Sequence, residues 1–323
     1  MTGPHRRLLG VSLAAACLVL ADTAAWLWVC SRLQAGVAQA VGQLAAAGWT
    51  ARSGLPVREG WPFAARLDFP GVSVVGDPAV IPGGLLWTAE HVTVGLSLAH
   101  PTLLKAAVTG AQVLQADAQP PVPLRARSET LEAGLSGEPS PVLSIAELAA
   151  DLPAGAVSVG AGTIRFAPEG VLLDVQELGL PGLAGTTIDR LRLQGGIAPM
   201  PAGPLSAARA QAWRDAGGTL TLDEAALTWG PLQATGHAEI KLDAQLQPVA
   251  SGTVDAAGLP AAIDALTRSG ALPARTALAA KAVLALLAAP SPGAPVSLPV
   301  QLQNRVLSVA RFPLLRLPVV GWE

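Results

Sequence analysis

The sequence predicts a mainly β protein: one N-terminal transmembrane helix, then a long, curved antiparallel β-meander with short helices near the C-terminus. Three observations predict it. An apolar run extends from Leu8 to Cys30. From Trp49 onward the hydrophobic period changes from helix-like to two. The alternating segments follow one another across short Gly- and Pro-containing turns, which favours meanders over βαβ units.

The apolar run reaches the length of about 20 residues that a membrane-spanning helix needs. His5, Arg6 and Arg7 precede it, so the positive-inside rule keeps the N-terminus in the cytoplasm and sends the rest across. Trp26 and Trp28 suit an interfacial aromatic belt at the outer end. A cleaved signal peptide shares the charged start, but its apolar core ends after roughly 7–15 residues, whereas this one continues to Val29. The stretch Leu13-Ala14-Ala15-Ala16-Cys17 faintly resembles a lipoprotein box, with its leucine one position too far out and apolar residues after the cysteine. A retained signal-anchor is the expectation, with cleavage as the alternative. Asp22 is an acid within the span. Such a residue can mark a partner or a proton path, and its place near the outer third favours the simpler reading, a side chain reaching toward the interface.

Arg32 to Ala47 continues as a stalk helix, because Leu33, Val37, Val41 and Leu44 recur at three- and four-residue steps. Gly48 is its stop. Residues 1–48 therefore form the anchor and stalk, and residues 49–323 the exported β-rich region, with a soft joint near 198–204.

In the exported region the strongest strand signal is Leu232 to Gln247. Leu232, Ala234, Gly236, Ala238, Ile240, Leu242, Ala244 and Leu246 take one phase, and Gln233, Thr235, His237, Glu239, Lys241, Asp243, Gln245 and Gln247 the other. This calls for a long strand, or two with a bend, with one dry face and one wet face. Val92, Val94, Leu96 and Leu98 alternate in the same way. Weaker strands fall at Phe63–Phe69, Leu103–Ala116, Leu124–Leu131, Val142–Leu148, Val157–Phe166, Val171–Leu178, Thr187–Gln194, Gly218–Trp229 and Leu298–Val309. Pro70-Gly71, Pro168-Glu169-Gly170 and Gln303-Asn304-Arg305 are among the turns between them. Three helices interrupt the pattern: one capped by Ser206 and closed by Gly217-Gly218, one from Pro260 to Ser269, and one from Thr276 to Ala289. In the last two, Ile263 and Leu266, then Leu278, Ala282 and Leu286, form an apolar stripe suited to core packing.

Composition excludes several classes of function. Hydrophobic residues make up 51% and charged residues 14% of the chain, and the net charge is -2, so no electrostatic attraction to nucleic acid is expected. Cys17 and Cys30 lie in or beside the apolar run, which leaves the exported region without a disulfide, a cysteine metal site or a thiol nucleophile. His91, His100 and His237 have no second ligand at metal spacing in the sequence, and His91 and His237 fall on polar strand phases. There is no nucleophile elbow, phosphate loop or dinucleotide fingerprint. The expectations are no enzyme, no metal and no cofactor. Abundant Ala, Gly, Pro and Arg, with three lysines and no tyrosine, fit a high-GC bacterial genome.

Gly60-Trp61-Pro62-Phe63 resembles a block of an uncharacterised alphaproteobacterial envelope family, domain of unknown function 2125. The likeness extends through Ala47-Gly48-Trp49, Trp87-Thr88-Ala89-Glu90, Gly217-Gly218-Thr219-Leu220 and Trp229-Gly230-Pro231-Leu232 to the helices around 259–289. No function is established for that family, so no site residues carry over. The C-terminal order of strands and helices is also similar to the tail of AsmA-type envelope proteins, a weaker likeness. It implies a curved sheet with an apolar concave face and phospholipid handling.

Two functions compete, and a third has little support. The first is a membrane-anchored periplasmic protein that binds or handles lipid in an apolar groove, with Leu232, Ala234, Ala238, Ile240, Leu242 and Leu246 as groove candidates. Its partners are the bacterial inner membrane and a phospholipid. The second is a structural or protein-interaction component of the envelope with a closed core and no ligand. An enzyme has only scattered carboxylates in its favour.

Overall fold

The computed structural model describes residues 4–76, 84–97, 99–116, 119–152, 155–168, 170–181, 187–199, 206–268, 272, 274–275, 277–278, 281–282, 295–310 and 312–322. It opens with α1 (Pro4–Ala46), a single helix of 43 residues in which the apolar run and the stalk are continuous. At 1.5 Å per residue α1 is about 65 Å long, roughly twice a bilayer's hydrocarbon thickness. It is long and apolar enough to cross a membrane. Gly48, at φ 87, ends it, in a backbone conformation that glycine adopts without a Cβ clash.

The rest is one antiparallel meander. β1 (Trp49–Arg52) and β2 (Val57–Glu59) lie end to end along one edge of β3 (Ala64–Gly76). β4 (Leu85–Ser97) and β5 (His100–Ala116) follow. β6 (Val122–Arg125) and β7 (Ser128–Gly134) share the far edge of β5, and both pair with β8 (Val142–Leu152). Next come β9 (Gly155–Ala167), β10 (Gly170–Gly179), β11 (Ile188–Ala198) and β12 (Thr219–Trp229). β13 (Leu232–Leu242), β14 (Pro248–Ala257), β15 (Val296–Gln303), β16 (Val306–Val309) and β17 (Phe312–Arg316) complete a sheet of 17 strands. The mainly β meander behind an N-terminal helix is the expected fold.

Two short helices described in full flank the sheet. α2 (Ala207–Asp215) is capped by Ser206, whose Oγ accepts from the Arg209 N–H at 3.4 Å. Residues 200–205, most of the proline-rich joint, lie outside the described residues. α3 (Leu259–Arg268) carries Pro260 in its first turn and buries Ala262 and Ile263. Both helices pack on β13. The expected third helix lies largely outside the described residues. Where it is described, Ala277 is buried while Leu278 is 76% exposed and Ala282 is exposed. This corrects the inward stripe: the buried side is rotated away from Leu278 and Ala282.

Among the described residues, strands make substantial contact only with their ladder neighbours and with α1, α2 and α3. Among those residues no second sheet covers either face. The accessible surface is 19843 Å², against about 12,400 Å² for a compact protein of this mass. Among the described residues, the core cluster with fully buried side chains lies where α1 docks. There Cys30 and Leu33 pack on Ala65, Leu67 and Phe69, and the Trp26 indole donates to the Ala64 carbonyl at 2.8 Å.

Candidate functional site: an uncovered apolar face

Directly opposed residues of an antiparallel ladder point to the same face. The groove candidates can therefore be traced outward from β13. Ala234 stands between Leu227 of β12 and Ala256 of β14, Ala238 between Leu222 and Gly252, and Ile240 between Leu220 and Ala250. Leu232 faces Trp229, and Leu242 faces Pro248. All five candidates on β13 are half-buried, and the intervening Gln233, Thr235, His237, Glu239 and Lys241 are exposed.

Leu246, the sixth candidate, is not on the strand. β13 stops at Leu242, four residues before it. The Asp243 carboxylate accepts the N–H groups of Gln245 at 2.9 Å and Gln247 at 2.8 Å, which closes a turn in which Leu246 has φ 59. The alternation past Leu242 is thus a turn rather than a wall, because a local side-chain acceptor outcompetes the ladder.

The apolar phase crosses nearly the whole sheet as one row. It starts at Leu67 on β3 and passes through Val94, Ala106, Leu131, Leu143 and Ile164. It continues through Leu173, Leu193, Ala225, Gly236 and Val254 to Leu298 on β15. At about 4.8 Å per strand this is roughly 50 Å of uninterrupted apolar surface. One residue along, the row on the other face reads Asp68, Thr93, Ala107, Thr130, Ser144 and Thr163, then Asp174, Arg192, Ala226, Thr235, Asp255 and Ser297. Only the ends of the apolar row are buried. Leu67, under α1, is 0% exposed, and Leu298 is 9% exposed.

Four residues along from the row, some strands reset their phase. Glu147 of β8 and Glu177 of β10 both stand opposite Gly160 of β9, and their φ values are 51 and 54. On β9, Val157 and Val159 are half-buried whereas Ala161 and Thr163 are exposed, so the inward phase changes at Gly160. A Cβ on Gly160 would lie 2.9 Å from the Glu177 Cβ. Gly236 and Gly252 are small for a related reason. A Cβ at Gly236 would meet the Thr253 carbonyl at 2.5 Å, and one at Gly252 the His237 carbonyl at 2.3 Å. Close strand approach accounts for these two glycines.

A family model of uncharacterized proteins conserved in bacteria, DUF2125, matches residues 26–318. The chain belongs to that family. No curated protein and no solved structure matches it. The DUF2125 match begins at Trp26, the helix residue hydrogen-bonded to β3, and so takes in the docked part of α1 together with the sheet.

The polar face of this DUF2125 chain carries ion pairs between neighbouring strands. Lys105 meets Glu132 at 3.0 Å, and Arg190 Nε donates to Asp174 Oδ1 at 3.0 Å. The Arg190 hydrogen bond holds the Asp174 carboxyl below its usual range. His91 is not simply solvated: its Nδ1 lies 2.8 Å from Asp68 Oδ2. The partners are 23 residues apart in sequence and meet two residues out of direct register, so only the β3–β4 pairing reveals them. Among the described residues no three His, Cys, Asp or Glu side chains group as a metal site.

Proposed function

We propose that this chain is a single-pass protein of the bacterial inner membrane. Its sheet lies in the periplasm and binds or handles phospholipid along the apolar face. The observation that carries this reading is the row from Leu67 to Leu298, apolar over roughly 50 Å and, among the described residues, buried only at its ends. Water contact along such a row is costly, because each buried methylene contributes about 0.8 kcal/mol. Acyl chains cover it without needing polar partners, in keeping with a face that offers few groups for chemistry. No catalysis is proposed.

The competing reading is a structural component whose apolar face is covered by another protein. The two are separated by mass spectrometry of the full chain extracted in mild detergent and transferred to volatile buffer. Phospholipid retained at a fixed stoichiometry supports the lipid reading. A lipid-free chain that retains a stoichiometric protein partner supports the structural one. The orientation is tested by a reporter enzyme that works only outside the cytoplasm, fused after Glu323. Activity is expected, and an inactive but well-expressed fusion reverses the orientation.

A further inference from the structure

The docked helix and the first strands enclose a cleft of about 530 Å³, within the 300–1,000 Å³ usual for small-molecule pockets. Leu33 and Val37 of α1 form one wall; Val94, Leu104 and Leu135 form the other. Val94 also belongs to the long apolar row, so the cleft opens directly onto that row. One charged residue, Arg32, lines the cleft. Its guanidinium sits 5.3 Å from the centre of the Trp28 ring, and among the described residues no carboxylate pairs with it.

Height along the helix identifies what this cation meets. Counted from Leu8, about 20 residues cross the hydrocarbon, which brings the chain to Leu27 and sets the Trp26–Ala64 contact at the membrane surface. Trp28, 60% exposed, then stands at the interface where indoles concentrate. Arg32 lies one turn further out, about 6 Å beyond it, at the height of lipid phosphates. We infer that the cleft between α1 and β4–β5 is the entry site for phospholipid: the headgroup phosphate is held by Arg32 beside Trp28, and the acyl chains pass between Leu33 and Leu104 onto the apolar face. This rests on the lipid reading above. Guanidinium suits the role, because it pairs with phosphate oxygens in bidentate fashion.

The test uses the full chain in bilayer discs containing labelled phosphatidylglycerol or labelled diacylglycerol. A benzophenone side chain replaces Leu104 in the cleft or, separately, Ala238 far along the row. The Leu104 probe should capture phosphatidylglycerol in preference to diacylglycerol. Arg32→Gln should lower that capture about tenfold, as expected for one charge-assisted hydrogen bond, and Arg32→Lys should restore most of it. Arg32 is exposed, so neither change threatens folding. Capture at Ala238 with a silent Leu104 probe overturns the entry site and leaves lipid binding intact. Silence at both positions overturns both. Capture at Leu104 that is unchanged by Arg32→Gln, or equal for diacylglycerol, overturns the role of Arg32.

Discussion

Glu147 and Glu177 occupy left-handed backbone, a region that costs an L-residue about 1–2 kcal/mol. The strain is placed where it resets strand phase and keeps apolar residues on one face. The same device recurs where Gly110, at φ 84, lies under Glu90: a Cβ there would come within 2.7 Å of the Glu90 Cβ, and the Glu90 carboxylate accepts the Ala111 N–H at 3.0 Å. Gly110→Ala should therefore destabilise the chain by about 1–3 kcal/mol, read as a lower urea midpoint at unchanged slope. Gly137→Ala, at φ 88 with open space around it, should cost less because the backbone term acts alone. None of this was legible in the sequence, since glutamate is not a turn residue and a single left-handed residue simply breaks an alternation count. Asp174 gives a pH prediction. Its folded pKa is depressed by Arg190, so its contribution to stability is full above the ordinary Asp value near 3.9 and is lost as pH falls through the lower folded value. Asp174→Asn should lower the melting temperature at pH 6 and flatten its decline as pH falls below about 4. An equally steep decline in the variant would remove Asp174 from the acid response.

At the scale of elements, the helix was legible from composition and its docking was not. The stripe Leu33, Val37, Val41 and Leu44 marks a stalk helix, yet only its first part is committed to the sheet: Leu33 is buried, Val37 half-buried and Leu44 40% exposed. The hydrophobic period gives a face but not the surface that covers it. Cys30, 0% exposed against Leu67 and its neighbours, reports on the docking. In a Cys17→Ala variant, Cys30 should resist a maleimide reagent until denaturant is added, followed as a mass increase. Rapid labelling under native conditions would mean that α1 stands free of β3. The β13–β14 hairpin shows the opposite failure. Its alternation overruns the strand because Asp243 fits the polar phase, whereas its carboxylate makes the turn. The C-terminal tail then fastens that turn, with the Trp322 indole donating to the Leu246 carbonyl at 2.7 Å and the Val320 N–H to Gln247 Oε1 at 2.9 Å.

At the scale of the molecule, period-two patterning and turn chemistry made the meander legible, because antiparallel neighbours in sequence are neighbours in the sheet. What the pattern did not determine was whether a second layer would close over the dry face. Closure depends on long-range packing, and among the described residues no second sheet lies over that face. The central claim is that acyl chains cover this face, and Ala238, half-buried in mid-strand, is the place to test it. With a photo-crosslinking residue at position 238 in cells, ultraviolet light should yield a phospholipid adduct on the full chain, detectable by mass. A control at exposed Glu239, on the opposite face, should yield none. Crosslinks from Ala238, and likewise from Ala234, that join only to protein would contradict the claim and leave an envelope component whose apolar face is a protein interface.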